Sequence, residues 1–191
     1  MEDHDEISIR ARIRTPEGGI LVMTGFPGLL IGHDGEAYID IEAMDDTFAA
    51  LVEARVGTLI VMAGDDELPE GAGCCLAAAA KRSGIAIINM PIEDFSTPSA
   101  EFVEKWRVVG PQLHKLLDRG DGCALSCHYG AGRSGMIAAL MLMERGAAPD
   151  AAISTVRAHF DESIENTEQE NWLRHRHIGH EHGERAGVRL G

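Results

Sequence analysis

Long apolar runs are missing from this chain. None approaches the roughly 18 residues that a membrane-crossing helix needs, and the acidic start Met1-Glu2-Asp3-His4-Asp5-Glu6 carries no apolar targeting segment. Cysteine is scarce, and the four present, with Cys74 and Cys75 adjacent, lack the spacing of a secreted disulfide framework. Positive charge is short as well: 17 Lys and Arg face 31 Asp and Glu, and the net charge of −14 opposes undirected attraction to nucleic acid or anionic lipid. These absences lead us to expect a cytoplasmic protein with neither a membrane nor a nucleic-acid partner. They do not exclude a local anion pocket on an acidic surface. No linker, repeat or low-complexity block interrupts the 191 residues, so a single domain over 1–191 is expected, with a short N-terminal arm and a His-rich C-terminal tail.

What is present converges on one stretch, Leu125-Ser126-Cys127-His128-Tyr129-Gly130-Ala131-Gly132-Arg133-Ser134-Gly135-Met136. A bare Cys-x5-Arg pair arises by chance about 0.3 times in such a chain, so its context carries the argument. Cys123 to Leu125 reads as a short buried strand, and Met136 to Met143 as a mostly buried helix. Between them, Gly130 and Gly132 permit backbone conformations that turn successive N–H groups inward, making an anion cradle from His128 to Arg133 at a helix N-terminus. The same positive surroundings favour a thiolate at Cys127. Arg133 can grip two phosphoryl oxygens as a planar fork, and Ser134 can donate to the sulfur.

With these residues in view, the chain resembles the cysteine-dependent protein tyrosine phosphatase superfamily, in particular its small dual-specificity-like members. The resemblance also draws on Gly19 to Thr24 with Phe26-Pro27-Gly28, on Leu59 to Met62 leading to Glu67-Leu68, on Pro91-Ile92-Glu93-Asp94 with Pro98, and on Ile164-Glu165-Asn166-Thr167 with Gln169. It implies a single phosphatase domain and assigns roles by position. Asp94 takes the acid position of the family's Pro-Ile-x-Asp pattern, a choice over Glu93 that chemistry alone does not make. Glu67 is implied as a brace for Arg133, against the plainer reading of a solvated acidic turn. Gln169 is implied to position water, against the reading of an exposed helical glutamine. Ser126 departs from the pattern, because most relatives carry His immediately before the nucleophile.

The rest of the chain reads as strands alternating with helices. Ile20 to Met23, Thr58 to Met62 and Ile85 to Ile88 are expected strands, the last of these buried, and Tyr38 to Ile41 is a further one. A helix over 42–55 would place Met44, Phe48, Leu51 and Val52 on one face and end at Gly57. Cys74 and Cys75 start another as small core residues. Ser99 is a candidate N-cap, Pro149 opens a helix, and Thr167 opens one carrying Trp172, Leu173 and Ile178. The expected architecture is α/β, a mixed and largely parallel central sheet flanked by helices. His175, His177, His180 and His182 do not make a chelating helical face, so no metal and no cofactor is expected.

Cleaving a phosphomonoester through cysteine takes a nucleophile, charge stabilisation on the phosphoryl oxygens and an acid for the leaving group. Cys127, the 128–133 amides with the Arg133 side chain, and Asp94 fill those roles. Ser134 would ease departure of the thiolate, and water activated by the deprotonated Asp94 and placed by Gln169 would release phosphate. The expected substrate is a phosphoprotein carrying phosphotyrosine, or phosphoserine and phosphothreonine. Two other classes stay open: a phosphate-recognition module without turnover, and a cysteine-based reductase. The loop lacks lysines, which weighs against highly anionic phosphoinositides.

Overall fold

The structure, a computed structural model, describes residues 8–176. Ile178 and three of the four tail histidines, His177, His180 and His182, lie outside that range. Seven strands and six helices follow one another as β1 (Ile9–Arg14), β2 (Ile20–Thr24), β3 (Leu29–Ile31), β4 (Ala37–Ile39), α1 (Ile41–Glu53), β5 (Val56–Val61), α2 (Ala72–Ser83), β6 (Ala86–Asn89), α3 (Ala100–Asp118), β7 (Gly122–Ser126), α4 (Gly132–Glu144), α5 (Pro149–His159) and α6 (Thr167–His175). Five strands form the central sheet in the order β1-β2-β7-β5-β6, with β2, β7, β5 and β6 parallel and β1 antiparallel at one edge. The mixed, largely parallel sheet expected from the sequence is therefore the one found. Strands β3 and β4 pair as a separate hairpin, of which only the second strand was legible in the sequence.

Alternation along the central strands builds a core on each face of the sheet. Leu21, Met23, Ile60, Met62, Cys123 and Leu125 face the layer of α3, α4, α5 and α6. Val22, Leu59, Val61 and Ala124 face α1 and α2. Strand β7 is central, paired with β2 on one side and β5 on the other, and all five of its residues are buried. Helix α4 leaves the end of this strand and is buried on nearly its whole circumference, as its run of Met, Ile, Ala and Leu requires.

Four sequence expectations are corrected. Val52 is 48% exposed, because the buried face of α1 runs through Ala43, Met44, Thr47, Phe48 and Leu51 and leaves Val52 a quarter-turn away. The helix ends at Glu53 and the reversal falls on Arg55, at φ 58°, so Gly57 lies inside β5. Cys74 is exposed and Cys75 half-buried, since the inward stripe of α2 is Ala72, Leu76, Ala79 and Ala80. Strand β6 is only half-buried, because it is the edge of the sheet. The caps fall where the sequence put them: Ser99 accepts from the Phe102 N–H at 3.2 Å, and Pro149 stands in the first turn of α5.

Candidate active site

The parallel strands point their C-terminal ends to one rim, where an open α/β sheet presents its ligands. Cys127 follows β7 directly and is 2% exposed. Its own N–H donates to Thr24 O at 3.3 Å, the Phe26 N–H donates to His128 O at 3.1 Å, and Arg10 Nε donates to Tyr129 O at 3.1 Å. These bonds hang the loop on β2 and its following turn and on β1. Gly130 adopts φ +98°, and its N–H donates to Cys127 Sγ at 3.2 Å. A Cβ there would fall 2.4 Å from Gly25 N, so both the dihedral and the space demand glycine. Helix α4 begins at Gly132 and so aims its free N–H groups at the same place.

Arg133 is 1% exposed, and a buried guanidinium persists only when it is well paired. Its Nη1 donates to Glu67 Oε1 and its Nη2 to Glu67 Oε2, each at 2.7 Å, and Nη1 also reaches Ile92 O at 2.9 Å. Nη2 lies 3.0 Å from Asp94 Oδ1. Burial pushes the Glu67 carboxyl up, but the Arg133 hydrogen bonds, the Gly64 N–H and the neighbouring positive charge outweigh it and hold it below the ordinary carboxylate value. Arg133 Nε and Ser134 Oγ are buried without a hydrogen-bond partner among the described residues. Two buried, unpaired donors are costly unless an acceptor, such as a phosphoryl oxygen, meets them.

Asp94, Cys127, His128, Tyr129 and Arg133 all line one cavity of about 290 Å³, together with Phe95, Gly132 and Glu165. Glu93 lines the neighbouring cleft instead. Ser126 is fully buried, and its Oγ donates to Gly25 O at 3.1 Å, tying the end of β7 to the turn after β2. Gln169 is also fully buried. Its Oε1 accepts from the Glu165 N–H at 3.1 Å, and its Nε2 has no partner among the described residues. Among those residues no cluster of His, Cys, Asp and Glu could hold a metal ion, and no helix is long and apolar enough to cross a membrane.

Residues 35–147, which take in Glu67, Asp94, Cys127 and Arg133, match the family model "Polymorphic toxin system, DSP-PTPase phosphatase". The chain belongs to this family. It is thereby a dual-specificity-like member of the cysteine-dependent protein tyrosine phosphatase superfamily. Solved structures share the fold at low identity. Kinase-associated phosphatase with its catalytic cysteine replaced by serine is 19% identical, with a TM-score of 0.70 over 90% of this chain and 94% of that one. A putative protein tyrosine phosphatase from Leishmania major is 17% identical, with a TM-score of 0.62 over 87% and 97%. Human DUSP28 is 14% identical, with a TM-score of 0.58 over 86% and 90%. No curated protein matches the sequence at a significant level.

Three residues at the site were given no role from the sequence. Phe95, at φ 57° and 63% exposed, stands on the cavity next to Asp94. Asn166 donates from Nδ2 to Phe95 O at 2.8 Å while its Oδ1 caps α6 at the Gln169 N–H, 2.9 Å, and so ties the acid loop to that helix. Its place before Thr167-Glu168-Gln169 is an N-cap signal that could have found it. Glu165 reaches the cavity from the turn before α6, and nothing in its spacing announces that.

Proposed function

We propose that this chain hydrolyses phosphomonoesters through a cysteinyl-phosphate on Cys127, with phosphotyrosine in proteins as its main substrate and phosphoserine and phosphothreonine as further ones. The observation that carries this reading is the convergence of Cys127, whose Sγ accepts from the Gly130 N–H, with Arg133 and Asp94 on one cavity. Sulfur attacks phosphorus while the loop amides and Arg133 take the charge on the equatorial oxygens. Asp94 is half-exposed and gives its proton to the departing phenol or alcohol. Its contact with Arg133 Nη2 yields when a phosphoryl group competes for the same nitrogen. Ser134 Oγ, buried and unpartnered, donates to the sulfur as the thiolate is released.

Two exposed aromatic side chains, Phe95 at 63% and Tyr129 at 47%, stand on the cavity and support the phosphotyrosine preference. A phenyl ring between them gains stacking contacts that an alkyl phosphate does not. The Tyr129 ring is itself braced by Arg10 at 4.8 Å and Phe160 at 6.2 Å. The family description places such phosphatases in polymorphic toxin systems, and on this reading the chain is the phosphatase of such a system. Turnover of para-nitrophenyl phosphate by the wild-type chain with neither metal nor reductant tests the reading. Tight phosphopeptide binding without turnover would replace it with a recognition module, and turnover that requires a reductant would replace it with a reductase.

A further inference from the structure

The cavity of Cys127 is one end of a longer depression along the rim of the sheet. Asp94 is the wall it shares with the cleft of Glu93, and Gly64 and Pro91 are walls that this cleft shares with a third cavity, of about 340 Å³. The order follows the strands: Cys127 succeeds Ser126 of β7, Ser126 pairs with Val61 of β5, and Val61 pairs with Asn89 of β6. Adjacent strands stand about 4.8 Å apart, so the third cavity, lined by both Val61 and Asn89, begins within roughly 10 Å of the cradle. The reaction uses only the first. The floor of the third is apolar, with Phe26, Val61 and Leu76 buried and Leu68 and Ile87 half-buried. Helix α2 leaves it open, because the positions that face it are Gly73 and Ala77, one turn apart. Glycine inside a helix is destabilising, yet Gly73 lacks the left-handed backbone that would demand it, and a Cβ there would meet nothing within 4 Å. One larger side chain on α2 could cover these apolar walls, and none does.

The cleft in between has the opposite character. Of its four carboxylates, Glu67 and Asp94 pair with Arg133, while Asp66 and Glu93 are exposed and make no ion pair among the described residues. No Lys, Arg or His lines it. Resting on the function proposed above, we propose that the depression is a docking groove for the substrate's own chain. With phosphotyrosine in the cradle, the segment beside it lays a Lys or Arg over the cleft of Asp66 and Glu93 and seats an aliphatic or aromatic side chain in the cavity beneath α2. Continuity with the cradle makes the phosphoprotein the occupant, and the unpaired carboxylates between set the sign of its charge. An extended segment advances about 3.3 Å per residue, which puts the apolar residue roughly two to four positions from the phosphotyrosine and the basic one between them. A second phosphoryl group on that side is repelled by the same carboxylates.

Turnover by the full chain of phosphotyrosine peptides varied one position at a time, from about four residues before the phosphotyrosine to about four after it, tests this. Each kcat/KM is divided by that for para-nitrophenyl phosphate, which reaches only the first cavity. On one side of the phosphotyrosine, Leu or Phe is expected to exceed Ala about tenfold at one position, and Arg to exceed Glu about tenfold at a position nearer the phosphotyrosine. Gly73→Leu, which fills the cavity from α2, should bring the apolar preference to within about twofold and keep the basic one. Glu93→Gln should weaken the basic preference and keep the apolar one. Equal rates for Ala and Leu at every position, or an apolar preference that survives Gly73→Leu, overturn the proposal, while turnover of para-nitrophenyl phosphate preserves the phosphatase reading. A wild-type chain that sediments as a dimer, and as a monomer once Gly73 is replaced by Leu, gives the cavity to a second copy and overturns it as well. A wild-type chain that turns over none of these phosphates overturns both readings.

Discussion

Glu67 holds both terminal nitrogens of Arg133, Oε1 on Nη1 and Oε2 on Nη2, each at 2.7 Å. Since Arg133 is buried, this fork fixes the guanidinium plane against the loop that follows β7. Glu67→Gln breaks the charge pair while keeping the shape. Ile92 O and Asp94 still hold the arginine, so the expected loss is about 3 kcal/mol, the low end for breaking a buried pair. Chemical denaturation at neutral pH measures it. The folded Glu67 carboxyl sits below its ordinary 4.5, so its contribution is fully present above that pH and is lost as pH falls through the lower folded value. The stability gap between wild type and Glu67→Gln should therefore be flat above 4.5 and close below it. A gap that widens on acidification would contradict the pairing.

Asp94→Ala should slow poor leaving groups by roughly 10²- to 10⁴-fold and activated ones much less. Glu93→Ala should do neither, because Glu93 lines the neighbouring cleft rather than the cavity of Cys127. Rates for a series of aryl phosphates decide it. A larger loss from Glu93→Ala, or equal losses for all leaving groups, would move the acid elsewhere.

The alternation of the strands and the Cys127 loop were legible because both depend on neighbours in sequence: period two along β2, β5 and β7, and glycines two apart before an apolar helix. The brace was half legible. An acid just past a strand's C-terminal end was visible at Glu67, but its pairing spans 66 positions and exists only once β5 and β7 lie side by side. Glu165 was not legible as a cavity residue. Its direction comes from a left-handed Ile164 that Arg157 imposes, and isoleucine advertises the opposite backbone preference. Cys74 and Cys75 misled because alanine-rich helices carry little hydrophobic contrast, so periodicity did not say which side of α2 faces in.

Ser126 fills the place where the family resemblance implies histidine. It is fully buried, and its Oγ donates to Gly25 O. Ser126→His is expected to lower stability by about 1–3 kcal/mol through overpacking, without raising the rate per folded molecule. Denaturation midpoints and activity normalised to folded protein check both halves. A variant as stable as wild type and faster would show that the serine is a defect of the loop.

Mild peroxide should oxidise Cys127, and abolish the proposed turnover, without joining it to Cys123. The two share a sheet face four residues apart, about 13 Å along an extended strand, too far for a disulfide. Cys123 is also wholly buried, which pushes its thiol up to about 12 against a weak opposing effect of Arg145. Peptide mapping after brief oxidation should find Cys123 unmodified. A Cys123–Cys127 bridge as the main product would refute the geometry.

The covalent step itself is the centre of the account, and rapid acid quench of the wild-type chain during turnover of an aryl phosphate, followed by peptide mass spectrometry, reaches it directly. One phosphoryl group on the peptide carrying Cys127 is expected from wild type, and none from Cys127→Ser, which should be inert. Turnover with no phosphoryl group on Cys127, or substantial hydrolysis by a pure Cys127→Ser chain, would contradict the account.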